Sequence, residues 1–433
     1  MFDSTANIYK NAMWHGLEKF LRTFVNFFTT LWMIRYLGPK NFGALSYAFT
    51  LILLFEPLVT LGLPGIQKKW LVDQPDQKNE ILGAGFALRL SGTIFSLISV
   101  LILSFTLHVD ELVLRKLIII FGVGFSFRVF DNIETYFEYK LQSKIITTVK
   151  STTNFTMAGL KILAIVTGQS LQTFAIIAAL EFVVIGLGHI FFYKKLGFSM
   201  SQWEFKKSTT FKLMSQALPL LFSGIAVAMY MKMDQIMLKH MLSNKAVGIY
   251  SLAIKITEIW YIIPMALMGS YLPNILRYKK ENPFEYQNKL EDLYRILTFL
   301  GFLLIIGVSV IPGSWLSAIF SKSFNESIPI LHIYIWTIIF VFWGVAQGPF
   351  DLAEDLLTFS LFKTVAGSII NLSLNYLLIP KFAGKGAAIA TLVSSSSVAV
   401  WLNIFHPRAR KIFLIQFKSF NFPKLSRILD EKI

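Results

Sequence analysis

Five cations (Arg22, Arg89, Arg128, Lys161 and Lys255) and four acids (Asp131, Glu181, Asp234 and Glu258) lie inside stretches that are otherwise almost wholly apolar. At the centre of a bilayer each such charge costs ~2.5–3.5 kcal/mol on insertion scales, so it must face water, a partner or a ligand. Helical spacing sorts them onto faces. His15, Glu18, Arg22, Asn26 and Thr29 form one stripe. Arg128, Asp131 and Thr135 form a second, Ser251, Lys255 and Glu258 a third, and Thr364, Ser368, Asn371 and Asn375 a fourth. A polar line along many helices is what a water-filled interior requires. Asn26, Thr29, Asn371 and Asn375 are therefore expected to line a cavity.

Arg22, Arg89 and Lys161 are the first candidates for binding an anion, followed by Arg128 and Lys255. A guanidinium suits phosphate because its planar fork donates two hydrogen bonds at once. Arg128–Asp131 and Lys255–Glu258 stand three residues apart, so mutual neutralisation is the competing reading for those two pairs. Asp131, Asp234, Glu258 and Glu181 are candidates for coupling an ion to movement. Glu56, just before Pro57, fits no stripe. The chain has no Cys, no P-loop and no metal-ligand spacing such as HExxH. It is read as needing neither metal nor cofactor, and as transporting rather than transforming its substrate.

The elements that hold these residues are membrane helices. Hydrophobic residues make up 55% of the 433 and charged residues 15%, against about 25% charged in soluble domains. The first apolar run contains Glu18, Lys19 and Arg22 and is followed by no small-residue cleavage site, so it is a span and not a removed signal. Apolar runs of crossing length recur throughout. They give an all-α, polytopic protein of about twelve spans. These lie near residues 14–35, 42–64, 81–107, 114–137, 146–167, 171–193, 213–237, 247–272, 291–314, 328–350, 358–380 and 386–406. Alternate connections hold 22 and 8 Lys and Arg. The basic side, with both termini, is expected to be cytoplasmic. The net charge of +16 follows from this bias and implies no nucleic-acid partner.

"RYLGPKNFGALSYA" (35–48) also lies over "HMLSNKAVGIYSLA" (240–253) at an offset of 205 residues, matching Leu37, Lys40, Gly43, Ser46 and Ala48 to identical types. Each segment joins the first two spans of a six-span half. Parallel repeats of this kind predict two pseudo-symmetric six-helix lobes around a central cavity: residues 1–205, residues 206–406, and a basic tail at 407–433.

"RYLGPKNFGALSYA…LVTLGL", "YMKMDQIML", "VGIYSLAIKITEIWYIIP" and "NLSLNYLLIPKFAGKGAAIAT" together resemble the polysaccharide flippases of the O-antigen (Wzx) type, within the multidrug/oligosaccharidyl-lipid/polysaccharide exporter superfamily. The resemblance covers about residues 7 to 406. It implies a lipid-linked oligosaccharide on an undecaprenyl diphosphate carrier, moved by alternating access from the inner to the outer leaflet of a bacterial plasma (inner) membrane. The partners then expected are the glycosyltransferases and glycan polymerase of the same pathway, and the protein is expected to be a monomer. Arg22, Arg35, Arg89, Asp131, Asp234 and Glu258 match charged positions of the family pattern. Lys255 stands where an Arg is expected, and Gln67-Lys68-Lys69 departs from an arginine-containing end of span 2. The rival readings are a drug/cation antiporter of the same superfamily, which wants excess acid, and a glycan polymerase or ligase, which wants a large outer loop.

Overall fold

The computed structural model describes residues 2–311 and 313–421, and the side chains in those ranges other than residues 2–20, 269–270 and 273–274. The side chains of His15, Glu18 and Lys19, and the basic residues of the tail beyond Asn421, lie outside what is described. Among the described residues every regular element is a helix. Eight helical stretches are long and apolar enough to cross a membrane. Two of these are double. Leu21–Asp73 breaks at Gly38 and Leu357–Phe405 at Ala383; as one rod, 53 residues would reach about 80 Å, far beyond the ~30 Å hydrocarbon core. Span 4 (Leu112–Phe125, Ser126–Phe130 and Asp131–Tyr139) and span 5 (Ser143–Val166) complete twelve. Those two fall short on apolarity because they carry Arg128, Asp131, Glu134 and Glu138, and a run of Thr, Ser and Asn.

The burial pattern is that of a membrane protein. On span 3 (Lys78–Leu107) the buried face carries Arg89, Thr93, Ser96 and Ser104, while Ile94, Phe95, Ile98, Ile102 and Phe105 are exposed. Lipid contact explains that inversion, since apolar side chains gain nothing by hiding from hydrocarbon.

The chain forms two compact units, Met1–Lys232 and Met233–Ile433, dividing within the span-7 helix Lys207–Met241. The early part of that helix belongs to the first unit. Leu213, Ala217 and Leu221 pack with Leu61, Leu63 and Ala84.

The internal echo has a structural counterpart in each unit. Span 1 ends at Gly38, with φ 71°, and span 7 gives way to span 8 at the extended Ser243, whose side chain accepts from the Ala246 amide. Span 2 then breaks around Leu54–Phe55, and span 8 breaks at the 3₁₀ turn Ile259–Tyr261. Three ion pairs also recur in the same order. Unit 1 has Lys68–Glu138 at 2.8 Å, Lys150–Glu134 at 2.5 Å and Lys206–Glu80 at 3.0 Å. Unit 2 has Lys279–Glu354, Lys363–Asp351 at 3.6 Å and Lys418–Glu291 at 3.1 Å. Each set ties the basic ends of spans 2, 4 and 5 of its own half, and fixes the segment after the sixth span onto the third.

At the turn between spans 11 and 12, Ala383 takes φ 49° and ψ −132°. A Cβ is poorly tolerated there, at about 1–3 kcal/mol. Ala383→Gly is expected to stabilise the protein by about 1 kcal/mol after the larger unfolded-state entropy of glycine is subtracted. Thermal unfolding of the detergent-purified protein checks this; a lower midpoint than the parent would contradict it.

Candidate functional site

Unit 1 contains a cavity of about 450 Å³ whose wall carries Glu56, Arg89, Arg128, Asp131, Glu134, Glu138 and Lys150. Three local departures from regular helix put them there. Span 2 breaks before Pro57, which lacks an amide hydrogen, and Glu56 opens the next short helix. Span 4 tightens to a 3₁₀ turn over Ser126–Phe130. With three residues per turn, this brings Arg128 and Asp131 onto one side, and the Arg128 Nε donates to Asp131 Oδ2 at 3.0 Å. Span 3 approaches closely at Gly85, where an added Cβ would lie 2.2 Å from Gln67 Nε2 and 2.8 Å from Asn132 Oδ1. Gln67, fully buried, donates to Asn132 Oδ1 at 2.8 Å, and Asn132 donates to the Leu82 carbonyl at 3.0 Å. This clamp seats span 3 on span 4 one turn from Arg89. It accounts for Gln67 in place of a basic residue.

The acids of the wall are all matched. Glu56 receives Arg128 Nη1 at 2.7 Å, a partner from another span. Asp131 shares the same arginine, Glu134 takes Lys150 at 2.5 Å, and Glu138 takes Lys68 at 2.8 Å. Arg89 is different. It is 1% exposed, donates from Nη2 to Thr135 at 3.2 Å, leaves Nε–H without a partner, and makes no ion pair among the described residues. His189 is fully buried, 4.0 Å from Glu134. One ligating atom each from Asp131, Glu134 and His189 falls within 4.8 Å. Lys150 and Arg128 already engage both carboxylates, which disfavours adding a dication.

Unit 2 holds a second polar cluster, drawn from spans 7, 8, 11 and 12. Asp234, 3% exposed, accepts from the Tyr250 hydroxyl and from Thr391 Oγ1 at 3.3 Å. Asn371 donates to Ser394 Oγ at 3.3 Å, and Asn375 donates to Asn371 Oδ1 at 2.9 Å. Both asparagines are fully buried, so they sit inside the helix packing of unit 2.

The remaining candidates lie apart from these clusters. Arg22 and Lys161 are half-buried, off the wall of the unit 1 cavity, and each has an interaction partner. Asn26 donates to Asn154 Oδ1, and Thr29 is buried with its hydroxyl on the Val25 carbonyl at 2.7 Å. Lys255 is exposed and Glu258 half-buried, and no ion pair joins the two among the described residues. Glu181 is half-buried, although its neighbours Phe182 and Ile185 line the cavity. Sequence reasoning passed over Glu134, Glu138, Lys150, Tyr250 and Thr391. Glu134 and Glu138 continue the Asp131 face at helical spacing, the one signal available. The others meet their partners from different helices.

Comparison with known proteins gives three findings. The sequence pattern of the family described as "polysaccharide biosynthesis protein" matches residues 8–279, more than half of the chain. A capsular polysaccharide biosynthesis protein, CapF of Staphylococcus aureus, is 23% identical over 192 residues, 44% of this chain and 48% of that one, so the match spans about half the length of that relative. Among solved structures, an inward-facing multidrug resistance MATE family transporter of the MOP superfamily superposes with a TM-score of 0.72 at 13% identity, covering 90% of this chain and 95% of that one. The lipid II flippase MurJ, in an inward closed conformation, gives 0.68 at 14% identity, covering 96% and 93%. At those identities the likeness is one of fold: a multi-pass membrane protein with pseudo-symmetric lobes.

Proposed function

We propose that this chain, which belongs to the polysaccharide biosynthesis protein family, is a flippase that carries an oligosaccharide on an undecaprenyl diphosphate lipid from the inner to the outer leaflet. The observation that carries the reading is Arg89. Glu56 and Asp131 share Arg128, Glu134 pairs with Lys150 and Glu138 with Lys68 from beyond the wall, so the one charged side chain of the wall that makes no ion pair among the described residues is a guanidinium. A wall built for a drug cation would leave a carboxylate, rather than a guanidinium, without an ion-pair contact. A diphosphate supplies the missing anion, and Arg89 offers it a free N–H from a setting where electrostatic attraction is little screened.

The transfer makes and breaks no covalent bond. The head group crosses while the polyprenyl tail stays in lipid, and the lobes alternate access to the two sides. Asp234, held by hydroxyls in unit 2, exchanges a proton and so couples movement to a gradient. The basic connections and both termini face the cytoplasm of a bacterium, a reading the charge bias supports. Glycosyltransferases that build the lipid-linked unit and a polymerase that consumes it are the partners.

The test is complementation. Expression in a strain lacking its own polysaccharide flippase is expected to restore surface glycan and to leave resistance to cationic drugs unchanged. Drug resistance gained without glycan would favour the antiporter reading.

A further inference from the structure

The matched ion pairs at the basic ends of the two units enclose different interiors. In unit 1 the space behind Lys68–Glu138 and Lys206–Glu80 is filled by rings. Trp203 donates from Nε1 to the Tyr193 hydroxyl at 3.0 Å and lies 5.3 Å from the Phe86 ring. Tyr136 and Phe198 close the rest. In unit 2, behind Lys279–Glu354 and Lys418–Glu291, no indole stands among the described residues of the wall, and a cleft of about 450 Å³ remains.

One part of the cleft wall is cationic, with Lys279, Lys411 and Lys418 against the single acid Glu354. Lys279 and Lys418 are already engaged by Glu354 and Glu291, whereas Lys411 is exposed and has no ion pair among the described residues. Another part is apolar, with Leu290, Phe350 and Leu414. The helix Arg410–Lys418 fixes the level of the cleft. Its inner face is buried through Ile412, Ile415 and Gln416, the last donating to the Ala399 carbonyl at 2.7 Å. Its outer face exposes Leu414 and Phe417 between Arg410, Lys411 and Lys418. An apolar face flanked by basic residues at the end of a membrane bundle lies in the plane of the lipid head groups.

We propose that this cleft binds an anionic phospholipid, with the lysines around its phosphate and Leu290, Phe350 and Leu414 against the first carbons of its chains. A zwitterionic lipid carries the same phosphate, but its own ammonium would leave the charge of Lys411, the lysine without an ion pair among the described residues, uncompensated. A soluble phosphate would leave the apolar wall uncovered.

Full-length protein reconstituted in phosphatidylcholine nanodiscs containing phosphatidylglycerol provides the test, with bound lipid counted by native mass spectrometry. The wild type is expected to retain phosphatidylglycerol in preference to phosphatidylcholine. One basic residue near an anionic lipid is worth about 1 kcal/mol, so Lys411→Ala is expected to weaken retention about fivefold. Leu414→Trp fills the cleft as Trp203 fills its counterpart, without changing charge, and is expected to abolish the preference. Both positions are exposed, so unfolding midpoints near the parent's are expected. Equal retention of the two lipids, or wild-type retention by both variants, would overturn the proposal. So would displacement by glycerol 3-phosphate or inorganic phosphate, which would assign the cleft to a soluble anion. Retention by a chain ending at Asn421 but not by the full chain would assign it to the protein's own tail.

Discussion

Arg89→Leu is expected to reach the membrane at normal abundance and to export glycan about a hundredfold more slowly. Abundance should hold because the guanidinium makes one hydrogen bond, to Thr135, and no ion pair among the described residues. Leucine is easier to bury than a charge, and the acids of the wall keep Arg128, Lys150 and Lys68. Export should fall because hydrogen bonds from a charged donor contribute about 1.5–3 kcal/mol each, and about 3 kcal/mol is a factor of a hundred. Arg89→Lys keeps the charge but not the fork, and should fall between the two. Surface glycan in a flippase-null strain, normalised to protein in the membrane, measures all three. Export by Arg89→Leu at the parent rate would remove the anion site from this cavity.

Asp234→Asn is expected to abolish the dependence of export on the proton gradient while leaving the fold intact. The amide oxygen still accepts from Tyr250 and Thr391, so those two hydrogen bonds survive while the titratable charge is lost. Tyr250→Phe is the complementary variant. It leaves the carboxylate buried with one donor fewer, and should lower stability by about 1.5–3 kcal/mol. The two predictions separate coupling from architecture. Export by Asp234→Asn that keeps the parent's response to external pH would place the coupling acid elsewhere.

The twelve spans were legible because crossing a bilayer imposes a length and an apolarity that any window of sequence reveals. The junctions at Gly38 and Ser243 were legible for a related reason, since a repeated turn leaves a repeated pattern. Pairing was legible only within one helix and only sometimes. Arg128 and Asp131, three apart, do meet. Lys255 and Glu258, at the same spacing, do not, since Lys255 is exposed and Glu258 only half-buried. Spacing permits a contact; rotamers and the neighbouring helices decide it. Glu56 could not be placed from its own span because its partner comes from span 4, and the Lys150–Glu134 pair joins spans 4 and 5. The buried asparagines were legible as a polar face. Whether that face met water or other amides depended on helices whose order along the chain carries no such information.

The Glu56–Arg128 contact also sets a timetable for the making of the protein. Span 2 leaves the ribosome with its acid well before span 4 exists. At roughly 5–20 residues per second, the intervening chain takes on the order of 4–15 s to synthesise. Through that interval a carboxylate without its arginine stands at a penalty of ~2.5–3.5 kcal/mol in hydrocarbon. Span 2 is therefore expected to wait at the insertion machinery, or half-inserted beside it, until span 4 arrives with the countercharge, and the first four spans to settle in the bilayer together rather than one by one.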